Sequence, residues 1–149
     1  MTIMPKKSWT EKLTDSKGFP KIEPITEKMS KRWGQGTVVI PAPMDVYGIM
    51  ASVPEGELIT INDIRSALAK KYGSTICCPI CTGIFARIAA SASEEGKGVK
   101  KIPYWRTLKE GRIINEKYPG GIEGQKRLLE KEGHLVVKKG NKYNVMPKK

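Results

Sequence analysis

The chain has 149 residues, of which 39% are hydrophobic and 28% charged, and its 27 Lys and Arg against 15 Asp and Glu leave a net charge of +12. This length and apolar content predict one domain with a single core, and they exclude wholesale disorder and a large multidomain enzyme. No apolar run approaches the roughly 18–20 residues of a membrane-spanning helix, and residues 1–21 hold no apolar signal core, so we expect a cytoplasmic protein without membrane contact.

The positive charge is concentrated in two regions. Residues 97–112 carry six basic side chains against one acidic side chain, and residues 134–149 carry five lysines and no acidic residue. Basic patches of this kind attract polyanions, which in a small cytosolic protein favours nucleic acid over a membrane surface. A solvated surface that only aids solubility is the alternative explanation.

The first 35 residues differ in composition from the rest of the chain. Prolines and scattered lysines interrupt any apolar period, although the segment also holds Trp9 and Trp33. We therefore predict a basic N-terminal arm over residues 1–35 and a folded domain over residues 36–149. Because indole rings are rarely exposed in a free tail, the two tryptophans indicate that parts of the arm could pack on the domain.

Two helices are predicted early in the domain. A short apolar run at 38–40 ends in prolines, and the residues at 43–53 then recur at helical spacing up to a Pro-Glu-Gly break. The next helix begins at Thr60, whose hydroxyl can form a capping box with Asp63, and Gly73 is a suitable residue to end it.

A further helix is predicted from about Cys78 to Ala92, and its two faces differ. One face is an apolar stripe of Ile80, Ile84, Phe85 and Ile88, and the other holds the small residues Pro79, Gly83, Ala86 and Ala90, with Thr82 and Arg87 at its borders. The small face could pack against a neighbouring helix. It could equally belong to a recognition helix that comes close to a DNA groove, with Arg87 as the reaching side chain.

The last third of the chain predicts one more helix and a hairpin. Turns at 109–112 and 118–121 precede an amphipathic helix over 122–131, and two short apolar runs flank a Lys-Lys-Gly-Asn turn at 138–141. A helix-turn-helix followed by a basic hairpin resembles a winged helix. The predicted fold class is therefore α+β, mainly helical with a small β hairpin.

Two separated stretches carry a recognisable pattern. The first is Val46-Tyr-Gly-Ile-Met-Ala-Ser-Val-Pro54, followed by Gly56 and by Ile59-Thr60. The second is Ile102-Pro-Tyr-Trp-Arg106, followed by Pro119-Gly-Gly-Ile122 and by Leu128-Leu-Glu-Lys-Glu-Gly133. In order and spacing, residues 46–133 resemble the C-terminal domain of the alkylguanine-DNA alkyltransferase family, also called methylated-DNA–protein-cysteine methyltransferases. The resemblance implies the winged-helix-like helix-turn-helix fold of that domain.

The residues at the family's reactive site are changed. The family transfers an alkyl group from guanine to the cysteine of a Pro-Cys-His-Arg motif, and Tyr104 and Trp105 stand at the Cys and His positions. A phenol with a pKa of about 10 stays protonated near neutral pH, and indole is no general base. The glutamate that orients the histidine aligns with Lys126. We therefore expect no methyl transfer, no catalytic residue and no cofactor.

Because of these replacements, the chain resembles the alkyltransferase-like proteins, in which another residue stands in place of the acceptor cysteine. These relatives bind DNA that carries alkylated guanine, flip the base into a pocket and pass the lesion to nucleotide excision repair. The resemblance thus implies a DNA-repair protein, with double-stranded DNA and nucleotide excision repair proteins as partners, and we expect a monomer. The implied DNA-binding residues are Thr82, Gly83, Ala86, Arg87, Ala90, Lys97, Lys100 and Lys101. The implied lesion pocket consists of Pro103, Tyr104, Trp105, Arg106, Tyr118, Gly120 and Gly121.

Two features leave an alternative function open, that of a general winged-helix DNA-binding protein without lesion specificity. The base-flipping tyrosine of the family is replaced by Ile61, which cannot hydrogen-bond a phosphate. Trp105 could belong to the hydrophobic core rather than to a pocket.

The three cysteines form a second pattern. Cys78-Pro-Ile-Cys81, with Cys77 beside it, matches the spacing of a thiol redox motif. This is a remote alternative, because a lysine-containing segment rather than an apolar strand precedes the motif. A zinc site lacks a fourth ligand, since the one histidine, His134, is far along the chain. We expect no metal, and cysteines that pack the helix as small apolar residues.

Overall fold

The computed structural model describes residues 8–15 and 18–146, and it is an α+β structure. The helices in this part of the chain are α1 (Trp9–Thr14), α2 (Glu27–Trp33), α3 (Pro43–Ala51), α4 (Ile61–Tyr72), α5 (Pro79–Glu95) and α6 (Gly121–Lys131). The strands are β1 (Lys21–Pro24), β2 (Thr37–Ile40), β3 (Ile59–Thr60), β4 (Ile76–Cys77), β5 (Thr107–Leu108), β6 (Leu135–Lys139) and β7 (Lys142–Met146). A short 3₁₀ turn spans Tyr104–Arg106. The predicted α+β class is confirmed.

The strands form small sheets at separate places in the fold. β2 pairs antiparallel with β1 and parallel with β4, and β3 pairs parallel with β5. The predicted hairpin is present as β6 and β7, joined by the two residues Gly140 and Asn141. Gly140 has a φ of 63°, which a glycine adopts without steric cost at the first position of such a turn.

The core lies between α3, α4 and α5. Val46 and Met50 of α3 and Ile64 of α4 have no exposed surface, and they pack with buried alanines of α5. A second cluster of Leu108, Ile114, Leu129 and Val145 joins α6 to the hairpin. The small alanine side chains let α5 approach α3 and α4 closely, so α5 packs against more than one helix.

The predicted N-terminal arm contains structured segments that contact the domain. Leu13 of α1 has no exposed surface and belongs to the main core cluster, and β1 pairs along β2. Glu95, the last residue of α5, accepts hydrogen bonds from the backbone of Trp9 (3.1 Å) and of Thr10 (3.0 Å) at the start of α1. These hydrogen bonds lower the pKa of the Glu95 carboxyl, and the one from the Thr10 backbone has the largest effect. The division of the chain at residue 35 stays a prediction.

In the part of the chain that the structure describes, no helix is both long and apolar enough to cross a membrane.

Candidate nucleic-acid interface

The two helices predicted on either side of Gly73 are present as α4 and α5, with the expected signals at their ends. Thr60 Oγ1 accepts a hydrogen bond from the Asp63 backbone (3.3 Å), and Asp63 Oδ2 accepts one from the Thr60 backbone (2.8 Å). α4 ends at Gly73, which lies in the left-handed region with a φ of 65°, and α5 begins with Pro79 at its first position. Local sequence signals therefore determine where both helices begin and where α4 ends.

An open groove runs along the outer face of α5. Ile80 is 59% exposed and Ile84 is 52% exposed, and with Gly83 and Arg87 they line the groove. These positions are spaced by three and four residues, so they share one face of the helix. The groove has a volume of about 520 Å³, and its other walls are formed by Trp9 and Lys12 of α1, by Ile61, and by residues 109 and 115–117.

The structure corrects the predicted orientation of α5. Thr82, Ala86 and Ala90 have no exposed surface, so their predicted contacts with DNA are wrong, whereas Gly83 and Arg87 line the open groove. Thr82 is also committed to the core, since its hydroxyl donates to the Cys78 carbonyl at 2.7 Å. The small face is needed for close packing, and the bulkier isoleucines remain on the side with no covering helix. The alternative, that the small face packs against neighbouring helices, is correct for Ala86 and Ala90.

Arg87 is held near the N-terminal helix. Its guanidinium carbon lies 5.5 Å from the centre of the Trp9 ring, and Lys12 Nζ lies 4.4 Å from the same ring. Both distances are within the range of cation–π attraction. The aromatic wall of the groove is therefore bordered by two positive charges.

The lysine-rich loop after α5 lies apart from this groove. Lys97, Lys100 and Lys101 are exposed, but none of them lines the α5 groove. The Tyr47 hydroxyl donates a hydrogen bond to the Lys100 carbonyl at 2.6 Å, which ties the loop to α3. Their predicted role in DNA binding stays a prediction, and the groove instead contains Lys109 and Lys117, which the sequence analysis did not select.

Tyr104, which the resemblance places at the family's acceptor position, is buried. Tyr104 is 4% exposed and Tyr118 is 2% exposed, and their ring centres lie 6.0 Å apart in an edge-to-face arrangement. The Tyr104 hydroxyl donates to the Pro119 carbonyl at 3.3 Å, and burial raises the pKa of the Tyr104 phenol. The phenol is therefore a poor nucleophile near neutral pH. The structure brings the predicted pocket residues together, but the faces of both rings are closed to solvent.

The loop that covers Tyr104 is anchored at both ends. Gln125 of α6 has no exposed surface, and its Nε2 donates to the Asn115 carbonyl (2.7 Å) and to the Gly121 carbonyl (3.0 Å). Gly120 has a φ of 82°, and a Cβ there would lie 3.4 Å from the Gly124 backbone, so the tight start of α6 favours glycine. The sequence analysis missed Gln125, because nothing local distinguishes it from a surface residue of an amphipathic helix.

Glu132 connects the residues that follow Tyr104. It accepts hydrogen bonds from Trp105 Nε1 (3.0 Å) and from Arg106 Nη2 (2.6 Å), and the Arg106 Nη1 group donates to the Val53 carbonyl (2.8 Å). The side chain of Glu132 is 6% exposed and that of Arg106 13% exposed. Burial by itself would raise the pKa of Glu132, but the hydrogen bonds from Arg106 and Trp105 outweigh it and hold the pKa below its ordinary value.

This arrangement differs from what the resemblance implies, which aligns Lys126 with the glutamate that orients the family's histidine. Lys126 does not take the position of an orienting glutamate, because Glu132 contacts the Trp105 indole directly. Glu132 itself lies in the Leu-Leu-Glu-Lys-Glu-Gly stretch that carries the resemblance, so the sequence did contain a signal for it. Trp105 is half-buried and packs against both core clusters, which favours the core interpretation of this residue.

The cysteines have the environment of structural residues. Cys77 and Cys78 are buried, and all three cysteines are free. Burial raises the pKa of the Cys77 thiol, and it raises the pKa of Cys81 to about 12. Reactive cysteines are partly exposed, whereas Cys78, the first cysteine of the motif, is only 6% exposed, which favours a packing role over thiol redox chemistry. Within residues 8–15 and 18–146, no group of three or more His, Cys, Asp and Glu side chains could hold a metal ion.

Comparisons with known proteins give two structural neighbours, whereas no protein-family model and no curated relative matches the chain. The structure is similar to that of S. pombe Atl1 in complex with damaged DNA containing O6-carboxymethylguanine, with a TM-score of 0.47, 20% sequence identity, and coverage of 68% of this chain and 85% of that chain. It is also similar to S. pombe ATL in complex with DNA, with a TM-score of 0.46, 19% identity, and coverage of 70% and 88%. Both neighbours are alkyltransferase-like proteins.

Proposed function

We propose that this protein is a non-enzymatic DNA-binding protein of the alkyltransferase-like type. In this proposal it binds double-stranded DNA with α5 as its recognition helix, and it recognises alkylated guanine without accepting the alkyl group. The observation that carries the proposal is the exposed face of α5 within a helix-turn-helix, where Arg87 projects beside an uncovered groove. A recognition helix requires such a face, because its side chains must reach DNA without moving the core.

The charge around the groove supports the same function. Lys12, Arg87, Lys109 and Lys117 line it against one carboxylate, Glu116, which is paired with Lys109 at 3.1 Å. Neutralising phosphates with such cations supplies most of the affinity of DNA-binding proteins and makes that affinity salt-dependent. The hairpin β6–β7 adds three exposed lysines, Lys138, Lys139 and Lys142, and would act as the wing.

The absence of methyl transfer follows from Tyr104 and Trp105. A buried phenol with a raised pKa carries no negative charge near neutral pH, and the Trp105 indole donates a hydrogen bond to Glu132 and has no basic nitrogen. For an alkylated base to reach Tyr104, the loop of residues 115–121 must move away from it. The handover of the lesion to nucleotide excision repair proteins, the monomeric state and the cytoplasmic location belong to the same proposal.

A second candidate is a general winged-helix DNA-binding protein without lesion specificity. The burial of Tyr104 and Tyr118 favours it, because neither ring offers a face on which a flipped base could stack. Ile61, at the position of the base-flipping tyrosine, lines the α5 groove and has no hydrogen-bonding group.

Substitution of Arg87 tests the role of α5. We expect Arg87→Ala to weaken binding of a labelled duplex by roughly 5- to 150-fold, the equivalent of ~1–3 kcal/mol for one specific contact. The matched control is Arg32→Ala, because Arg32 is exposed on α2 and its loss changes the net charge equally. Fluorescence anisotropy at two salt concentrations measures both. Equal losses would show that total charge, and not the α5 face, sets the affinity. We also expect Arg87→Ala to weaken duplex binding more than Lys149→Ala, and Lys149 lies outside the described residues.

A lesion-containing duplex separates the two candidates. We expect the wild-type protein to bind a duplex with one O6-methylguanine more tightly than the same duplex with guanine, at both salt concentrations. Mass spectrometry of the protein after the incubation is expected to show no methyl adduct, because Tyr104 stays protonated. Equal affinity for both duplexes would establish the general binder, and a stoichiometric adduct would contradict a non-enzymatic protein.

A further inference from the structure

The α5 groove has more apolar surface than phosphate binding requires. Ile80 and Ile84 are both more than half exposed and lie one helical turn apart. An isolated exposed isoleucine is ordinary, but two adjacent ones at the floor of a groove of about 520 Å³ indicate a surface that another molecule covers.

The aromatic wall of this groove comes from outside the region that resembles the alkyltransferases. Trp9 lies on α1, and Glu95 fixes the first turn of α1 to the end of α5 through the hydrogen bonds at 3.1 Å and 3.0 Å described above. Leu13 holds the other end of α1 in the core. The indole is therefore fixed in position beside the exposed face of α5, and it is not part of a free tail.

Cations surround this apolar surface. Lys12 and Arg87 border the Trp9 ring, and Lys117 lies across the groove, while Lys109 is neutralised by its ion pair with Glu116. Among the residues that the structure describes, Lys12, Arg87 and Lys117 form no ion pair with a carboxylate. A planar apolar wall next to such cations suits a nucleotide, whose base is flat and whose phosphate is anionic. In a fully paired duplex the base faces are covered by their neighbours, so only an unpaired base can use such a wall.

We infer that α1 and α5 together form a binding site for one unpaired, extrahelical nucleotide, with the base against Trp9 and the isoleucines and the phosphate among Lys12, Arg87 and Lys117. This inference rests on the proposed binding of DNA by α5, and it specifies an unpaired nucleotide as the ligand of the α5 groove. The site is separate from the closed surroundings of Tyr104.

The energies favour the exchange that binding requires. A base that stacks on Trp9 must displace one of the two cations from the ring, and an exposed cation–π contact is a weak interaction. The displaced cation gains a charge-assisted hydrogen bond to phosphate, and the base gains stacking on the indole. Two interactions therefore replace the one that is given up.

The test compares two bulged duplexes that differ only in the presence of a base. One carries a single bulged 2-aminopurine nucleotide, and the other carries a bulged abasic residue with the same sugar and phosphate. We expect wild-type protein to bind the base-bearing duplex roughly 5- to 150-fold more tightly, and to quench the 2-aminopurine fluorescence. Trp9→Leu, which keeps an apolar side chain without a ring, is expected to remove both effects, and Trp9→Phe is expected to retain most of them.

The outcomes are distinct from those that test the proposed function. If wild type prefers neither bulge, or if Trp9→Leu keeps the preference, the inference is wrong even when paired duplex binds well. Tighter binding of all duplexes by Trp9→Leu would show that α1 covers the DNA surface, which also overturns it. If no duplex binds, the proposed function fails, and single strands with and without an abasic residue then test the nucleotide site alone. Thermal unfolding of both variants checks that α1 stays docked.

Discussion

Replacing Glu132 by alanine is expected to lower the free energy of unfolding by about 3 kcal/mol. The carboxylate accepts hydrogen bonds from Trp105 and from Arg106, and it lies 3.4 Å from the Gly56 amide. The variant leaves the guanidinium of Arg106 without its ionic partner in a site where that side chain is 13% exposed. Breaking a buried ion pair on one side costs about 3–5 kcal/mol, and the remaining exposure of Arg106 places this case near the lower limit.

Glu130→Ala is the matched control, because Glu130 lies on α6 and is exposed. Its removal is expected to change stability by no more than about 0.5 kcal/mol. Denaturant unfolding monitored by circular dichroism measures both variants. Equal stabilities of the Glu132→Ala and Glu130→Ala variants would mean that the buried Arg106–Glu132 pair contributes no more than an exposed carboxylate.

The contribution of Glu132 also depends on pH in a defined direction. Its pKa in the folded protein is lowered, so the stabilisation is fully present above the unfolded value of about 4.3 and is lost as the pH falls through the folded pKa. The difference in stability between wild type and Glu132→Ala should therefore shrink under acidic conditions. A difference that grows in acid would contradict the assignment of a charged Glu132.

Leu13→Ala is expected to destabilise the whole protein by about 2–5 kcal/mol, although the residue lies in a segment whose composition predicts an arm. Leu13 has no exposed surface and packs in the main core cluster, so its truncation leaves a cavity beside α5. Leu135→Ala makes the same chemical change at a position that is 60% exposed, and it is expected to cost far less. Urea denaturation with unchanged slope for wild type and variants checks this.

The result would decide how α1 belongs to the fold. If α1 detaches as a unit before the rest unfolds, Leu13→Ala will leave the main transition where it is in wild type. That outcome would mean that residues 1–35 form a separable arm. A shifted single transition would mean that the domain includes α1.

The errors of the sequence analysis at α5 have one cause. Helical periodicity correctly separated an isoleucine stripe from a small-residue face, and the helix begins at Pro79 as expected. Hydrophobicity alone then favours burying Ile80 and Ile84, yet both are more than half exposed and Ala86 and Ala90 are buried. The closeness of α1, α3 and α4 decides this, because only small side chains fit between helices that approach so tightly.

The partner of Trp105 was likewise decided by tertiary packing and not by local sequence. The resemblance aligns Lys126 with the glutamate that orients the family's histidine, whereas the folded chain brings Glu132 to 3.0 Å from the indole nitrogen of Trp105. A shift of six residues along a helix and its following turn cannot be judged from one sequence, because it depends on where α6 begins and how it packs. Gln125 was missed for the same reason, since its role requires two ends of a loop to lie near one side chain.

Local chemistry alone therefore determined several features of this protein. The capping box of Thr60 and Asp63 and the turn of the β6–β7 hairpin depend on residues close together in sequence, where short-range sterics decide the outcome. The excess of positive charge and the presence of a phenol at position 104 depend on residue identity alone. The tertiary structure alone decided which face of α5 is open, that Tyr104 is closed beneath Pro119, and that Trp9 borders Arg87. These depend on contacts between distant segments, because burial and close packing are properties of the assembled core.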